Sequence, residues 1–179
     1  MLRSAANSFL GSHTNKIDAK GRVAAPADFR KALDLAHFHG FFCIPSVDGP
    51  YLDCGGPDYI ENLKAIIYAL PPYDPGRRAL ERQVLGAVKP ITIDSDGRFV
   101  LTKALRKHAG LDDLVQFVGV GDTFQMWRPS TEENDVVDDI ALARETLARL
   151  QNANHQSAAA VTGPMSPPIG ANGQGGGAA

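Results

Sequence analysis

The sequence predicts a mixed α/β fold assembled from two copies of one strand, turn, strand and helix unit. Three observations predict it. The stretch Ile17-Asp18-Ala19-Lys20-Gly21-Arg22-Val23 recurs as Ile93-Asp94-Ser95-Asp96-Gly97-Arg98-Phe99. Asp18, Gly21, Arg22, Arg30 and Lys31 each find an identical residue 76 positions on, at Asp94, Gly97, Arg98, Arg106 and Lys107. A repeat that holds a turn carboxylate, a glycine and three cations in register implies two copies of one structural unit. Finally, each copy runs on into a short helical pattern and then an apolar strand, Phe41-Phe42-Cys43-Ile44 in the first and Val115-Gln116-Phe117-Val118 in the second.

Taken in order, residues 1–8 are small and polar and read as a loose arm. Ser12 to Asp18 alternates, with Thr14, Lys16 and Asp18 on one face and His13, Asn15 and Ile17 on the other, which is a strand pattern. Asp18 and Asp94 accept turn amides two or three residues on, and Gly21 and Gly97 suit a positive φ, so these four are structural turn residues. Arg22 and Arg98 open the next strand at the hairpin tip. Pro26 starts a helix where a missing amide is harmless, and Phe29, Ala32 and Leu33 form its buried stripe. Thr102 takes the place of Pro26 in the second copy and serves as N-cap, with Gly110 closing that helix. Turns at Asp48-Gly49-Pro50 and Gly121-Asp122 each lead to a last strand.

Between the repeats, Pro57 to Leu70 predicts a helix carrying Ile60, Leu63, Ile67 and Leu70 on one face, and Asp74-Pro75 starts another with Leu80 and Val84 inward and Arg77, Arg78 and Arg82 mostly outward. Ser130-Thr131-Glu132-Glu133 has the form of a capping box for a helix to about Gln151, with the apolar seam Val136, Ile140, Ala143, Leu147 and Leu150. From Asn152 the composition is that of a disordered tail. The predicted organisation is an arm (1–8), a first repeat (9–56), linking helices (57–86), a second repeat (87–129), a C-terminal helix (130–151) and a tail (152–179).

The 179 residues are 44% hydrophobic, enough to bury an ordinary core. No apolar run reaches the length of a membrane span and Met1-Leu2-Arg3-Ser4 begins no signal-peptide core, so the expectation is a cytoplasmic protein without a membrane partner. Cys43 and Cys54 read as two reduced, half-buried thiols. His37-x-His39 lacks a third ligand, so no metal and no cofactor is assigned. Net charge is -2, but residues 1–33 hold six Lys or Arg against two Asp, and residues 77–110 hold eight against three acidic groups. Cations gather in the repeats, as a face that meets phosphate requires.

The pattern Phe9-Leu10-Gly11, then Lys16-Ile17-Asp18-x-Lys20-Gly21-Arg22-Val23-x-x-Pro26-x-x-Phe29-Arg30, with its later copy and the run Val118-Gly119 to Met126-Trp127, resembles the MraZ family. These are bacterial transcriptional regulators encoded at the head of the division and cell-wall gene cluster. The resemblance covers roughly residues 8 to 150. Each half is also similar to the wider AbrB-like class. What this implies is two AbrB-like, βαβ-type swapped-hairpin units forming an internal pseudo-dimeric β-barrel with flanking helices. It also implies a ring-like homo-oligomer, nucleoid-associated, that binds short G-rich direct repeats in double-stranded DNA upstream of its own operon and represses it. Departures are Thr102 for proline, Asp53-Cys54-Gly55-Gly56 where the family has an aromatic, and Gln125 for Glu.

The DNA-binding residues on this reading are Arg22, Lys20, Lys16, Arg30 and Lys31 in the first repeat and Arg98, Arg106 and Lys107 in the second. Lysines neutralise phosphates, and arginines can also read guanine through paired donors. Lys16 and Lys20 have Thr92 and Asp96 as counterparts. The first repeat is therefore expected to read DNA and the second mainly to complete the fold. Pairing of Arg22 or Arg98 with its own turn carboxylate stays open beside DNA contact. An AbrB-like antitoxin and a structural or interaction protein are the alternatives. No signature of catalysis and no small-molecule substrate is indicated.

Overall fold

The computed structural model describes residues 8–33, 38–129 and 139–151. The chain divides into one unit over Met1–Pro129 and a second over Ser130–Ala179. The first holds eight strands: β1 (Ser12–Lys16), β2 (Arg22–Ala24), β3 (Gly40–Pro45), β4 (Leu52–Gly55), β5 (Lys89–Thr92), β6 (Arg98–Val100), β7 (Leu114–Gly119) and β8 (Phe124–Trp127). Helices α1 (Ala27–Ala32), α2 (Pro57–Tyr68), α3 (Pro75–Gln83) and α4 (Lys103–His108) complete it, with a 3-10 turn at Leu85–Ala87.

Six strands make one antiparallel sheet in the order β1-β7-β8-β4-β3-β5, and β2 pairs with β6 in a separate ribbon. The two repeats are interleaved. β1 of the first lies on β7 of the second, with Thr14 opposite Gln116, while β5 of the second lies on β3 of the first, with Phe41 opposite Ile91. β4 pairs with β8 in the same cross-repeat sense. The sheet is open, with β1 and β5 at its edges, which corrects the expected closed barrel. The reason lies at the turns. β1 and β2 share only the single bridge Ile17 to Val23, too short a ladder to carry the sheet round into a cylinder.

Phe9, Phe29, Phe41, Phe99, Phe117 and Phe124 form one aromatic core drawn from both repeats, each at most 2% exposed. Phe29 on α1 stands edge-on to Phe9 at 5.4 Å and to Phe117 at 6.1 Å. Such pairs add about 0.5–1.5 kcal/mol beyond area burial. Cys43 and Cys54 are opposite one another across β3 and β4, and both are fully buried rather than half-buried, because both point into this core. Burial, followed by the neighbouring Cys43, pushes the Cys54 thiol up.

Two departures from the family pattern gain a physical account. Thr102 Oγ1 accepts the Leu105 amide at 3.4 Å and so caps α4, where Pro26 makes no side-chain cap for α1. Gln125 is opposite Asp53 and donates to Asp53 Oδ1 at 2.9 Å, an arrangement that a Glu would turn into like-charge repulsion. Gln125 Oε1 in turn accepts the Trp127 indole N–H, and Trp127 stacks on Tyr51 with centroids 4.0 Å apart.

In the linking segment α2 buries Ile67, with Ile60, Leu63 and Leu70 half-buried, as its periodicity predicts. Asp74 caps α3 through the Gly76 and Arg77 amides. Arg77 departs from the outward face: it folds back onto Glu81 Oε1 and Leu70 O. In the second unit, 139–151 is helical, and Ile140, Leu147 and Leu150 are each more than half exposed. The arm to residue 7, His37, the capping box at Ser130-Glu133, Val136 and the tail 152–179 lie outside the described residues. Among the described residues no helix is long and apolar enough to cross a membrane.

Candidate nucleic-acid interface

Both Asp-x-x-Gly-Arg turns are built alike. Asp18 O accepts the Gly21 amide at 2.8 Å, and Asp18 Oδ1 accepts the Lys20 and Arg22 amides at 2.9 and 2.8 Å. Asp94 O and Oδ1 do the same for Gly97, Asp96 and Arg98. Gly21 and Gly97 have φ of 80° and 75°, the left-handed region that glycine enters without strain. Each turn is then sewn to the other repeat, since Leu101 donates to Gly21 O and Ala25 to Gly97 O.

In the ribbon Arg22 faces Val100 and Ala24 faces Arg98. Val23 and Phe99 point into the core, so alternation leaves Arg22, Ala24, Arg98 and Val100 together on the exposed face. Arg22 and Arg98 are diagonal neighbours there, about 7–8 Å apart at their backbones. Both line an open cleft with Asn15, Lys16, Ile17, Asp18 and Ala24. Asn15 was not singled out by sequence; its Nδ2 donates to Ala24 O at 2.7 Å and so ties β1 to the ribbon. An asparagine in a polar alternating strand carries no signal of that bond.

The two tip arginines differ. Arg22 Nε donates to Asp18 Oδ2 at 2.7 Å, whereas among the described residues Arg98 has no ion pair with Asp94. Ion pairing thus falls on the first repeat, where the sequence favoured DNA contact instead. The pair leaves the Arg22 Nη donors unspent and fixes the plane in which they point. With side chains 45% and 39% exposed, it acts through geometry more than through stability. Lys16 and Lys20 are exposed, Lys31 meets Asp28 at 3.4 Å, and Lys107 is exposed on α4. Arg30 and Arg106 are half-buried, each with Nε buried and without a hydrogen-bond partner.

The Arg22 backbone amide first, and then its guanidinium, hold the Asp18 carboxyl down at about 2. A depressed carboxylate contributes stability above its unfolded value near 4, and that contribution is lost as pH falls from about 4 through 2. A carbon-detected NMR titration of Asp18 is expected to show a midpoint near 2, rising only part of the way toward 4 in Arg22→Ala, which removes the guanidinium and keeps the backbone amide. A midpoint near 4 in the wild type would mean that neither the turn's backbone bonds nor the ion pair hold Asp18 in solution.

The arrangement defines a class of protein, a tandem-repeat molecule whose two repeats share one cation-bearing ribbon. The family described as "MraZ protein, putative antitoxin-like" matches residues 84–134. The transcriptional regulator MraZ of Rickettsia akari is 36% identical over 83% of this chain and 99% of its own length. That of Methylocella silvestris is 34% identical over 92% and 96%, and that of Xanthobacter autotrophicus 36% over 76% and 87%. The chain belongs to the MraZ family, one of transcriptional regulators and not of enzymes.

Proposed function

We propose that this protein is a sequence-specific DNA-binding regulator of the swapped-hairpin kind. It assembles as a ring-like homo-oligomer on short G-rich direct repeats upstream of its own division and cell-wall operon and represses it, in the cytoplasm at the nucleoid. The observation that carries the reading is the exposed ribbon face, where Arg22 and Arg98 flank a cleft that also takes Lys16. The names of the relatives support it. Arg22 is the principal contact, because Asp18 holds its Nε and aims its remaining donors outward, a pre-aligned fork for a phosphate or for guanine O6 and N7. Lys16 and Lys20 add charge at the same tip, where Asp96 of the second turn would repel a phosphate. Linked weak sites on successive repeats then gain affinity through effective concentration.

The test is a titration against a fluorescent duplex of the upstream region beside a shuffled duplex, at several salt concentrations. With about six cations on phosphates, the log-log slope is expected near -5. Arg22→Ala is expected to weaken the specific duplex roughly 5- to 150-fold, the range of one lost paired contact. Equal weak binding of both duplexes, unchanged in the variant, would make the ribbon structural and favour an interaction role. Co-purification with a small toxin would favour the antitoxin reading.

A further inference from the structure

Arg30 and Arg106 do not sit with the turns of their own repeats. Above Gly21, in the first turn, lies the guanidinium of Arg106 from the second repeat, its Nε and Cζ 3.8 Å from where a Cβ would project. Above Gly97, in the second turn, lies that of Arg30 from the first, with Nη1, Cζ and Nε at 2.5, 2.8 and 3.1 Å. Both Nε atoms are buried and unpartnered, as expected when the flat face of a guanidinium rests on a bare glycine Cα and no acceptor faces its inner edge. Neither guanidinium has a hydrogen bond or ion pair to a described residue, so the Nη donors remain available.

This exchange re-sorts the charge. The first tip carries Lys20, Arg22 and Arg106 against Asp18, and the second carries Arg98 and Arg30 against Asp94 and Asp96. The two turns lie apart along the ribbon, since Gly21 bonds Leu101 whereas Gly97 bonds Ala25, four residues from Gly21, or about 13 Å. Arg106 therefore lies over the turn that Arg22 directly follows, and Arg30 over the turn that Arg98 follows.

We propose that Arg106 completes the first hairpin's grip on the DNA backbone, one phosphate being held jointly by Arg22 of the first repeat and Arg106 of the second. Being half-buried beside the turn, Arg106 stands back from the floor of a groove and makes a contact independent of sequence. Arg30 covers the second turn, where two carboxylates disfavour phosphate, and serves the fold. The inference rests on the DNA-binding reading, and it makes the first repeat's hairpin incomplete without the second.

The experiment measures affinity for the upstream and shuffled duplexes against salt, with thermal midpoints, for Arg106→Gln, Arg106→Lys, Arg30→Gln and each combined with Arg22→Ala. Arg106→Gln is expected to weaken both duplexes by the same factor and to reduce the salt slope by about one. Arg106→Lys keeps the charge and should restore the slope. The Arg22→Ala, Arg106→Gln double variant should depart from the product of the single losses by about fivefold or more, while Arg22→Ala with Arg30→Gln should multiply within about twofold. Wild-type affinity and slope in Arg106→Gln, a lowered thermal midpoint with the wild-type slope, or coupling of Arg22 to Arg30 instead would each overturn it. A wild type that binds both duplexes equally would sink the specificity reading alone, because the slope change is still read on the shuffled duplex.

Discussion

Phe29→Ala is expected to destabilise the protein by about 3–5 kcal/mol, the usual cost of emptying a packed phenylalanine site. Phe29 is 2% exposed and touches Phe9, His13, Phe117 and Phe124, with centroids between 5.3 and 6.1 Å. Its neighbours come from the N-terminal segment of the first repeat and from β7 and β8 of the second, so one truncation opens the seam where the repeats meet. Helix α1 is six residues long, too short to persist by its own hydrogen bonds, and it depends on this ring and on Ala32 for its position. Urea unfolding should show the loss as a shifted midpoint with an unchanged slope. The equivalent position in the second repeat is Leu105, 3% exposed. Leu105→Ala is expected to cost less, within about 2–5 kcal/mol, since no ring contacts are lost there. A Phe29→Ala cost under about 1 kcal/mol would mean that α1 is held by something other than the aromatic core.

How far the sequence reached follows from what periodicity can encode. The turns were legible because Asp18 and Gly21 act within four residues of each other, and local chemistry is written locally. The same holds for Phe29, Ala32 and Leu33, whose spacing names the buried face of α1. Partner strands were not legible. Alternation in Ser12 to Asp18 states which side chains turn inward, but nothing in it says that Thr14 will face Gln116 of the other repeat. The closed barrel inferred from family resemblance failed for a related reason, since closure depends on how many residues β1 and β2 share across the turn, and they share one bridge. At the candidate site, the cations lie on the hairpins and helices where their spacing in the sequence places them, but their grouping was not legible. Arg30 and Arg106 were assigned by chain order to their own repeats, whereas interleaving lays each over the opposite turn. Only a glycine at each turn hinted that something lies close above it, and glycine was already accounted for by its positive φ.

Gly21→Ala and Gly97→Ala separate those two reasons for glycine. Both substitutions force an L side chain into positive φ, at about 1–2 kcal/mol each. The added methyl group then meets different obstacles. At Gly21 the Cβ would come within 2.8 Å of Leu101 O, a backbone atom, in the residue whose amide donates to Gly21 O at 2.9 Å. Relieving that clash disturbs the junction between first turn and second repeat, so a total near 2–4 kcal/mol is expected. At Gly97 the approach is closer, 2.5 Å, but the obstacle is Nη1 at the free end of Arg30, which can swing into water. Gly97→Ala should therefore cost little beyond the strain of its φ, about 1–2 kcal/mol. Denaturant unfolding of the two variants decides the order, and a Gly97→Ala cost equal to or above that of Gly21→Ala would mean that Arg30 is fixed as rigidly as backbone. Their effects on DNA should divide the same way. Gly97→Ala displaces Arg30 and leaves Arg22 with Arg106 intact, so affinity should hold within about twofold. Gly21→Ala moves the tip that carries Lys20 and Arg22, and even the folded fraction should bind weakly.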